Sequence, residues 1–166
     1  MQNETDPLQI LRREHEAGLK CLQRLRDAAE YIRTNGFSYE AFNDVAEATW
    51  FVDTDIRRHN EKEEKYLFPL LEQHVNGLPT VFRNEHRELW KAFKNLRECV
   101  KDVEELRIYP TTVADLIKYS TSVVLLLSNH MTKENNILFP MAKEVLTKKE
   151  YSQLAKEILA TTRVDS

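Results

Sequence analysis

The chain has 166 residues, 42% hydrophobic and 31% charged, with a formal net charge of -3 in which acids and bases are interspersed. That length is one domain with room for a sizeable core, and the charge balance excludes the basic patch of a nucleic-acid binder. Three Gly and five Pro leave little material for a turn-rich all-β fold, and two cysteines, Cys21 and Cys99, make no disulfide framework. The start, MQNETDPLQI, lacks the basic and apolar segments of a secretory leader. The longest aliphatic run, Val123 to Leu127, is far too short to cross a bilayer. The expectation is a cytoplasmic protein with no membrane or nucleic-acid partner, its cysteines serving as packing residues.

Helix punctuation is clear along the chain. Asp6 before Pro7 is an N-cap with proline at the first helical position. Leu8, Leu11, His15, Gly18, Leu22, Leu25, Ala29 and Ile32 then step by three and four until Asn35-Gly36 ends the helix. A second helix starts near Ser38 with the stripe Phe42, Val45, Thr49, Val52, Ile56, His59, Glu63, Tyr66 and Leu70, and closes at Asn76-Gly77. Beyond Pro79, a third runs through Phe82, His86, Leu89, Trp90, Phe93, Leu96, Val100 and Val103 to about Arg107. Pro110 opens the fourth, with Val113, Leu116, Ser120, Val123, Leu127, His130, Glu134, Ile137 and Met141 on one face. Thr147 and Glu150 form a capping box for a short fifth helix carrying Tyr151, Leu154, Ile158 and Leu159.

No stretch alternates with a period of two, so the fold class is all-α. Four long helices with short connections pack as an up-down-up-down antiparallel bundle. The single domain spans residues 1–166, with the bundle at about 7–145 and a C-terminal helix at about 148–161 lying across one end or along one side.

One signature occurs twice. Residues 59–69 read HNEKEEKYLFP and residues 130–140 read HMTKENNILFP, each a His, then Glu four residues on, then Leu-Phe-Pro. Positions four apart on a helix share a face, so each copy offers an imidazole beside a carboxylate. Pro69 and Pro140 fall at the same offset after both pairs. Proline removes a backbone donor and bends a helix, which predicts a built-in kink at both places.

The repeat extends further. His59 and His130 are 71 residues apart, as are His15 and His86, and EHEAGLKCLQRL (14–25) aligns with EHRELWKAFKNL (85–96). The chain is therefore a duplicated helical hairpin, each half supplying one His and then one His/Glu pair. Gly36 lies 21 residues after His15 and 23 before His59, while Pro110 lies 24 after His86 and 20 before His130. At about 1.5 Å rise per residue the mismatches amount to a few ångströms. His15, His59, His86 and His130 can therefore meet in one layer with Glu63 and Glu134.

A lone buried His, or a single His/Glu pair on a solvated helix, is commonplace. Four His and two Glu in one interior layer are costly unless a polar network or a metal compensates them, and metal is the stronger reading. His74 is excluded: it lies eleven residues past Glu63, about 16 Å along the axis, and Val145 stands at its repeat position. Six N/O ligands without Cys disfavour structural zinc. Two carboxylates from different helices suit a bridged pair of metals with two histidines apiece, typically iron or manganese. The ferritin-like arrangement, Glu three residues before His, does not occur here.

The paired His-x3-Glu-x3-Leu-Phe-Pro elements, with an Glu-His dipeptide in the first helix of each hairpin, resemble the hemerythrin-like HHE cation-binding family over about residues 8–145. The resemblance implies two non-haem iron ions bridged by two carboxylates and an oxo or hydroxo group, with manganese or zinc as alternatives. His15 and His59 would serve one ion, His86 and His130 the other, and Glu63 and Glu134 would bridge. The oxygen-carrying hemerythrins have a fifth His one turn after the first ligand of the third helix, where this chain has Trp90. They also use Asp at an offset of five where this chain has Glu134 at four. Both departures speak against reversible oxygen storage and point to the sensor and repair branches.

The expected function is binding or sensing of oxygen, nitric oxide or iron through a di-iron centre. The alternative is a redox enzyme, reducing nitric oxide or peroxide, or an iron donor for iron–sulfur cluster repair. The expected ligand is a small diatomic molecule. These residues hold no DNA-binding, kinase or F-box-like segment, so signalling would need a separate protein partner. Tyr66, one turn past Glu63, is read as a core tyrosine with a hydrogen-bonded hydroxyl, with a radical or proton-donor role as the alternative.

Overall fold

The computed structural model describes residues 5–163. Residues 1–4, which entered the leader reading, and 164–166 of the expected domain lie outside the described residues. Among the described residues every regular element is helical. Helix α1 is Pro7–Asn35. Helix α2, residues 39–72, is a continuous rod of α-helical pieces Tyr39–Phe51, Arg57–Lys62 and Phe68–Glu72 joined by π-helical turns at Val52–Ile56 and Glu63–Leu67. Helix α3 is Leu78–Glu104. Helix α4, residues 110–145, joins Pro110–Lys133 to Phe139–Val145 through a π-helical turn at Glu134–Leu138, and α5 is Lys148–Arg163. The four long helices pack in cyclic order, α1 against α2 and α4, α3 against α2 and α4, while α5 lies on α1 and the Glu63–Leu67 turn.

The helix starts follow from local chemistry. The Asp6 carboxylate accepts from the backbone N–H of Leu8 at 3.0 Å and Gln9 at 3.3 Å, satisfying two first-turn donors. Ser38 does the same for Ala41 at 3.1 Å. Thr147 and Glu150 bond reciprocally, side chain to backbone, at 3.2 and 2.8 Å. Gly36 and Gly77, with φ of 88° and 84°, occupy the positive-φ turns after α1 and before α3. Helix α3 ends before the expected Arg107. Leu106 turns left-handed at φ 61°, and the Arg107 N–H donates to the Asp102 carbonyl at 2.8 Å, a helix-ending bond.

The two proline kinks resolve into π turns. The N–H of Phe68 donates to the Glu63 carbonyl and that of Phe139 to the Glu134 carbonyl, each five residues back instead of four. The widened turn sits beside a proline that has no N–H to give. One extra residue per turn shifts the inward face by one position. Leu67, Leu71, Leu138 and Ala142 are completely buried, whereas Tyr66 and Leu70 are half-buried and Ile137 is 48% exposed. The expected stripes through Tyr66, Leu70, Ile137 and Met141 are thereby corrected. The third π turn, Val52–Ile56, has no proline. There the Thr54 hydroxyl bonds the Trp50 carbonyl at 2.9 Å, a side-chain competitor for the backbone ladder.

The interior holds two apolar clusters. One, including Leu25, Val45, Phe93 and Leu116, fills the end toward Gly36 and Leu106. The other, including Leu11, Phe68, Phe139, Leu154 and Ile158, fills the end that α5 covers. Tyr151 of α5 donates its hydroxyl to Asp6 at 2.6 Å, tying the last helix to the first. Between the clusters lies a polar layer.

Candidate metal centre

The polar layer contains the six residues expected from the repeat: His15, His59, Glu63, His86, His130 and Glu134, all at most 3% exposed. His74 is elsewhere, at the surface and bonded to Glu150 at 2.9 Å. The six divide into two overlapping groups that could hold a metal ion. His15, His59, Glu63 and Glu134 form one, and Glu63, His86, His130 and Glu134 the other, each with its ligand atoms within 4.8 Å of one another. Both glutamates belong to both groups.

All four imidazoles aim Nε2 inward. The Nε2 atoms of His15 and His59 are 2.9 Å apart, as are those of His86 and His130. Two neighbouring ligands each about 2.1 Å from one ion at a right angle lie about 3 Å apart. Glu63 reaches His59 Nε2 at 3.2 Å and His86 Nε2 at 3.6 Å, and Glu134 reaches His15 at 3.0 Å and His130 at 2.9 Å. Despite this closeness, none of the four carboxylate oxygens is satisfied by a well-formed hydrogen bond. Buried carboxylates do not persist unpartnered. Four such oxygens between two pairs of imidazole nitrogens are a donor set that fits a pair of cations.

The outward nitrogens are all fixed. His59 Nδ1 bonds Glu14 at 2.8 Å, His130 Nδ1 bonds Glu85 at 2.7 Å, His86 Nδ1 bonds Glu64 at 2.7 Å and His15 Nδ1 bonds Asn135 at 2.8 Å. Each bond keeps the proton on Nδ1 and the lone pair on Nε2, the tautomer a metal needs. Lys62 holds Glu14 at 2.7 Å, and Lys133 holds Glu85. These partners were not singled out from sequence. The signal was present, since Glu14/Glu85 and Lys62/Lys133 recur at the 71-residue offset. Glu14 precedes His15 in the chain yet orients His59.

Without a cation the layer is charged in a telling way. Burial opposes protonation of His59, but the Glu63 and Glu14 carboxylates overcome it and raise its pKa to about 10. Burial likewise opposes protonation of His130, and Glu134 with its neighbours raises it to about 9. Burial would raise Glu63, yet the His59 and His86 imidazoles hold it well below the usual carboxylate range. The site thus favours positive charge between its carboxylates.

A cleft of about 580 Å³ between α2 and α3 reaches this layer at His86 and is lined by Arg57, Asn60, Glu61, Glu64, Lys65, Arg83, Arg87 and Trp90. Trp90 ligates nothing, its ring carrying the Arg57 guanidinium at 4.0 Å. Tyr66 does not face the layer, because the π turn swings it toward α5, where a hydrogen bond with Thr161 lowers its pKa. Cys21 and Cys99 are free, and burial pushes both thiols up to about 11, which suits packing residues. Among the described residues no helix is long and apolar enough to cross a membrane.

Two curated proteins share part of this sequence. The iron-sulfur cluster repair protein YtfE of Edwardsiella ictaluri (strain 93-146) is 30% identical over 92 residues, 53% of this chain and 42% of that protein. Its counterpart of the same name in Cronobacter sakazakii (strain ATCC BAA-894) is 29% identical over 92 residues, again 53% and 42%. The matched stretch spans less than half of either relative. The family described as the hemerythrin HHE cation binding domain matches residues 6–142, a span that contains all six residues of the layer. The chain belongs to the hemerythrin HHE cation-binding family.

Proposed function

We propose that this chain is a non-haem di-iron protein in which His15 and His59 hold one ion, His86 and His130 hold the other, and Glu63 and Glu134 bridge them. The observation that carries this reading is the set of four unsatisfied glutamate oxygens between two pairs of inward imidazole nitrogens. Iron held there supplies a ferrous/ferric couple at each ion and coordination positions for a small ligand. The protein's own contribution is to fix the tautomers through Glu14, Glu64, Glu85 and Asn135, and to keep the layer dry between two apolar clusters. The cleft at His86 offers oxygen or nitric oxide a route to the layer. With Trp90 contributing no ligand, the centre serves in binding or sensing such a molecule, within the cytoplasm.

A second reading, iron donation or repair of iron–sulfur clusters, is favoured by the likeness to the two repair proteins. Metal analysis of the purified protein with its absorption spectrum tests the common core of both readings. About two irons per chain and near-ultraviolet charge-transfer bands are expected, and fewer than one iron with no such bands overturns the di-iron assignment. Stopped-flow mixing of the reduced protein with oxygen then separates the roles. Irreversible oxidation supports sensing or catalysis, while a species that releases oxygen under vacuum supports carriage.

A further inference from the structure

The duplication lets each half be compared with the other, position by position. The 71-residue offset pairs Glu14 with Glu85, Lys62 with Lys133 and Arg12 with Arg83, and the members of each pair do the same work. Glu14 and Glu85 orient His59 and His130, each carboxylate held in turn by its lysine. Arg12 donates to the Asn135 backbone carbonyl at 3.0 Å, and Arg83 to that of Glu64 at 3.4 Å. The Arg12 guanidinium lies over the Phe139 ring at 5.4 Å, and that of Arg83 over Phe68 at 5.3 Å.

One position breaks the match. His86 Nδ1 faces the carboxylate of Glu64, whereas His15 Nδ1 faces the carboxamide of Asn135 at the equivalent place. An imidazole that donates to a carboxylate is polarised toward imidazolate and gives its metal more electron density through Nε2, and a neutral amide does this less. The local charge follows the same division. Around the His86–His130 position Glu64 and Glu85 balance Arg83 and Lys133, and Arg83 has a further partner in Glu72 at 3.1 Å. Around the His15–His59 position Glu14 is paired with Lys62, and the place of Glu64 is taken by the uncharged Asn135. The residue equivalent to Glu72 is Lys143.

We propose that the two positions hold their ions unequally: Asn135 makes the His15–His59 position the weaker, exchangeable one, and Glu64 makes the His86–His130 position the retained one. This rests on the metal-centre reading above and adds to it a singly loaded form of the protein, with a second divalent ion that is taken up or given up. Asn135 and Glu64 are positioning residues that act on the ions through His15 and His86.

Cobalt(II) titration of the metal-free protein, followed by visible absorption and calorimetry, tests the proposal without reference to any activity. His15→Ala keeps the His86–His130 position and His86→Ala keeps the other, and the first is expected to bind cobalt about tenfold or more tightly than the second. Asn135→Asp restores a carboxylate at the same side-chain length and is expected to tighten the His86→Ala protein about tenfold. Glu64→Gln is expected to weaken the His15→Ala protein comparably. With all six ligands present, the wild type is expected to show two separate steps that Asn135→Asp draws together, a comparison that does not depend on the alanine variants folding. Equal steps in the wild type, or an Asn135→Asp protein with unmoved steps, overturn the proposal while leaving the metal centre standing. No cobalt uptake by the wild type overturns both.

Discussion

Leu138 is completely buried while its neighbour Ile137 is 48% exposed, whereas a regular α-helical turn would keep both positions, three and four residues after Glu134, on the inward side. The π turn that starts at Glu134 is responsible. Leu138→Ala is therefore expected to cost about 2–5 kcal/mol, and Ile137→Ala to stay within about 0.5 kcal/mol. Urea unfolding of the two variants checks this, and equal losses would mean that the turn is an ordinary α-helical one.

The proposed ligand histidines and the surface His74 separate by position. His59→Ala or Glu134→Ala is expected to lose at least one iron per chain, whereas His74→Ala keeps the wild-type content. Elemental analysis after identical purification decides, and the same content in all three variants would falsify the assignment.

The metal-free protein should weaken as the solution becomes alkaline. His59 and His130 have folded pKa values of about 10 and about 9, above the ordinary histidine value of about 6.5. A raised folded pKa contributes stability that is fully present below the unfolded value and is lost as pH rises through the folded one. The expected result is a urea midpoint that falls between about pH 7 and pH 10 in the metal-free protein. With metal on the Nε2 atoms this loss is expected to shrink, because protons no longer occupy those positions. A midpoint independent of pH in the metal-free protein contradicts the prediction.

The bond from Tyr151 to Asp6 gives a test of how firmly α5 is held. Its acceptor is a carboxylate and burial raises the phenol's pKa, with Asp6 adding to the effect. Tyr151→Phe is expected to cost about 1.5–3 kcal/mol, and limited proteolysis should cut first within α5. Cleavage with the wild-type pattern and rate counts against the tie.

Much of this architecture could be read from residues alone, and the reasons are local. Asp6-Pro7, Ser38 and Thr147-Glu150 carry capping chemistry that no tertiary context overrode. The six layer residues were legible because duplication doubled each weak signal. What escaped had a common cause: a backbone departing from the regular period. Pro69 and Pro140 announced a disturbance, but not that it would be absorbed as one extra residue in the preceding turn, which displaced Tyr66 and Ile137 from the inward face. Leu106 took a left-handed turn of the kind usually given to Gly or Asn. The residues that orient the histidines come from neighbouring helices, so spacing along one helix could not reveal them.

The polar layer also sets how force and motion travel through the bundle. Mechanically the protein is two short apolar plugs stacked on a charged joint, threaded by four continuous rods. On the proposed di-iron reading, removing the cations would leave Glu63 and Glu134 in that joint with only histidine protons to compensate them. The joint is then the seam at which one end breathes without the other. Amide exchange is then expected to show two opening units in the metal-free protein and one in the loaded protein, the proposed ions acting as the rivet that makes two halves a single body.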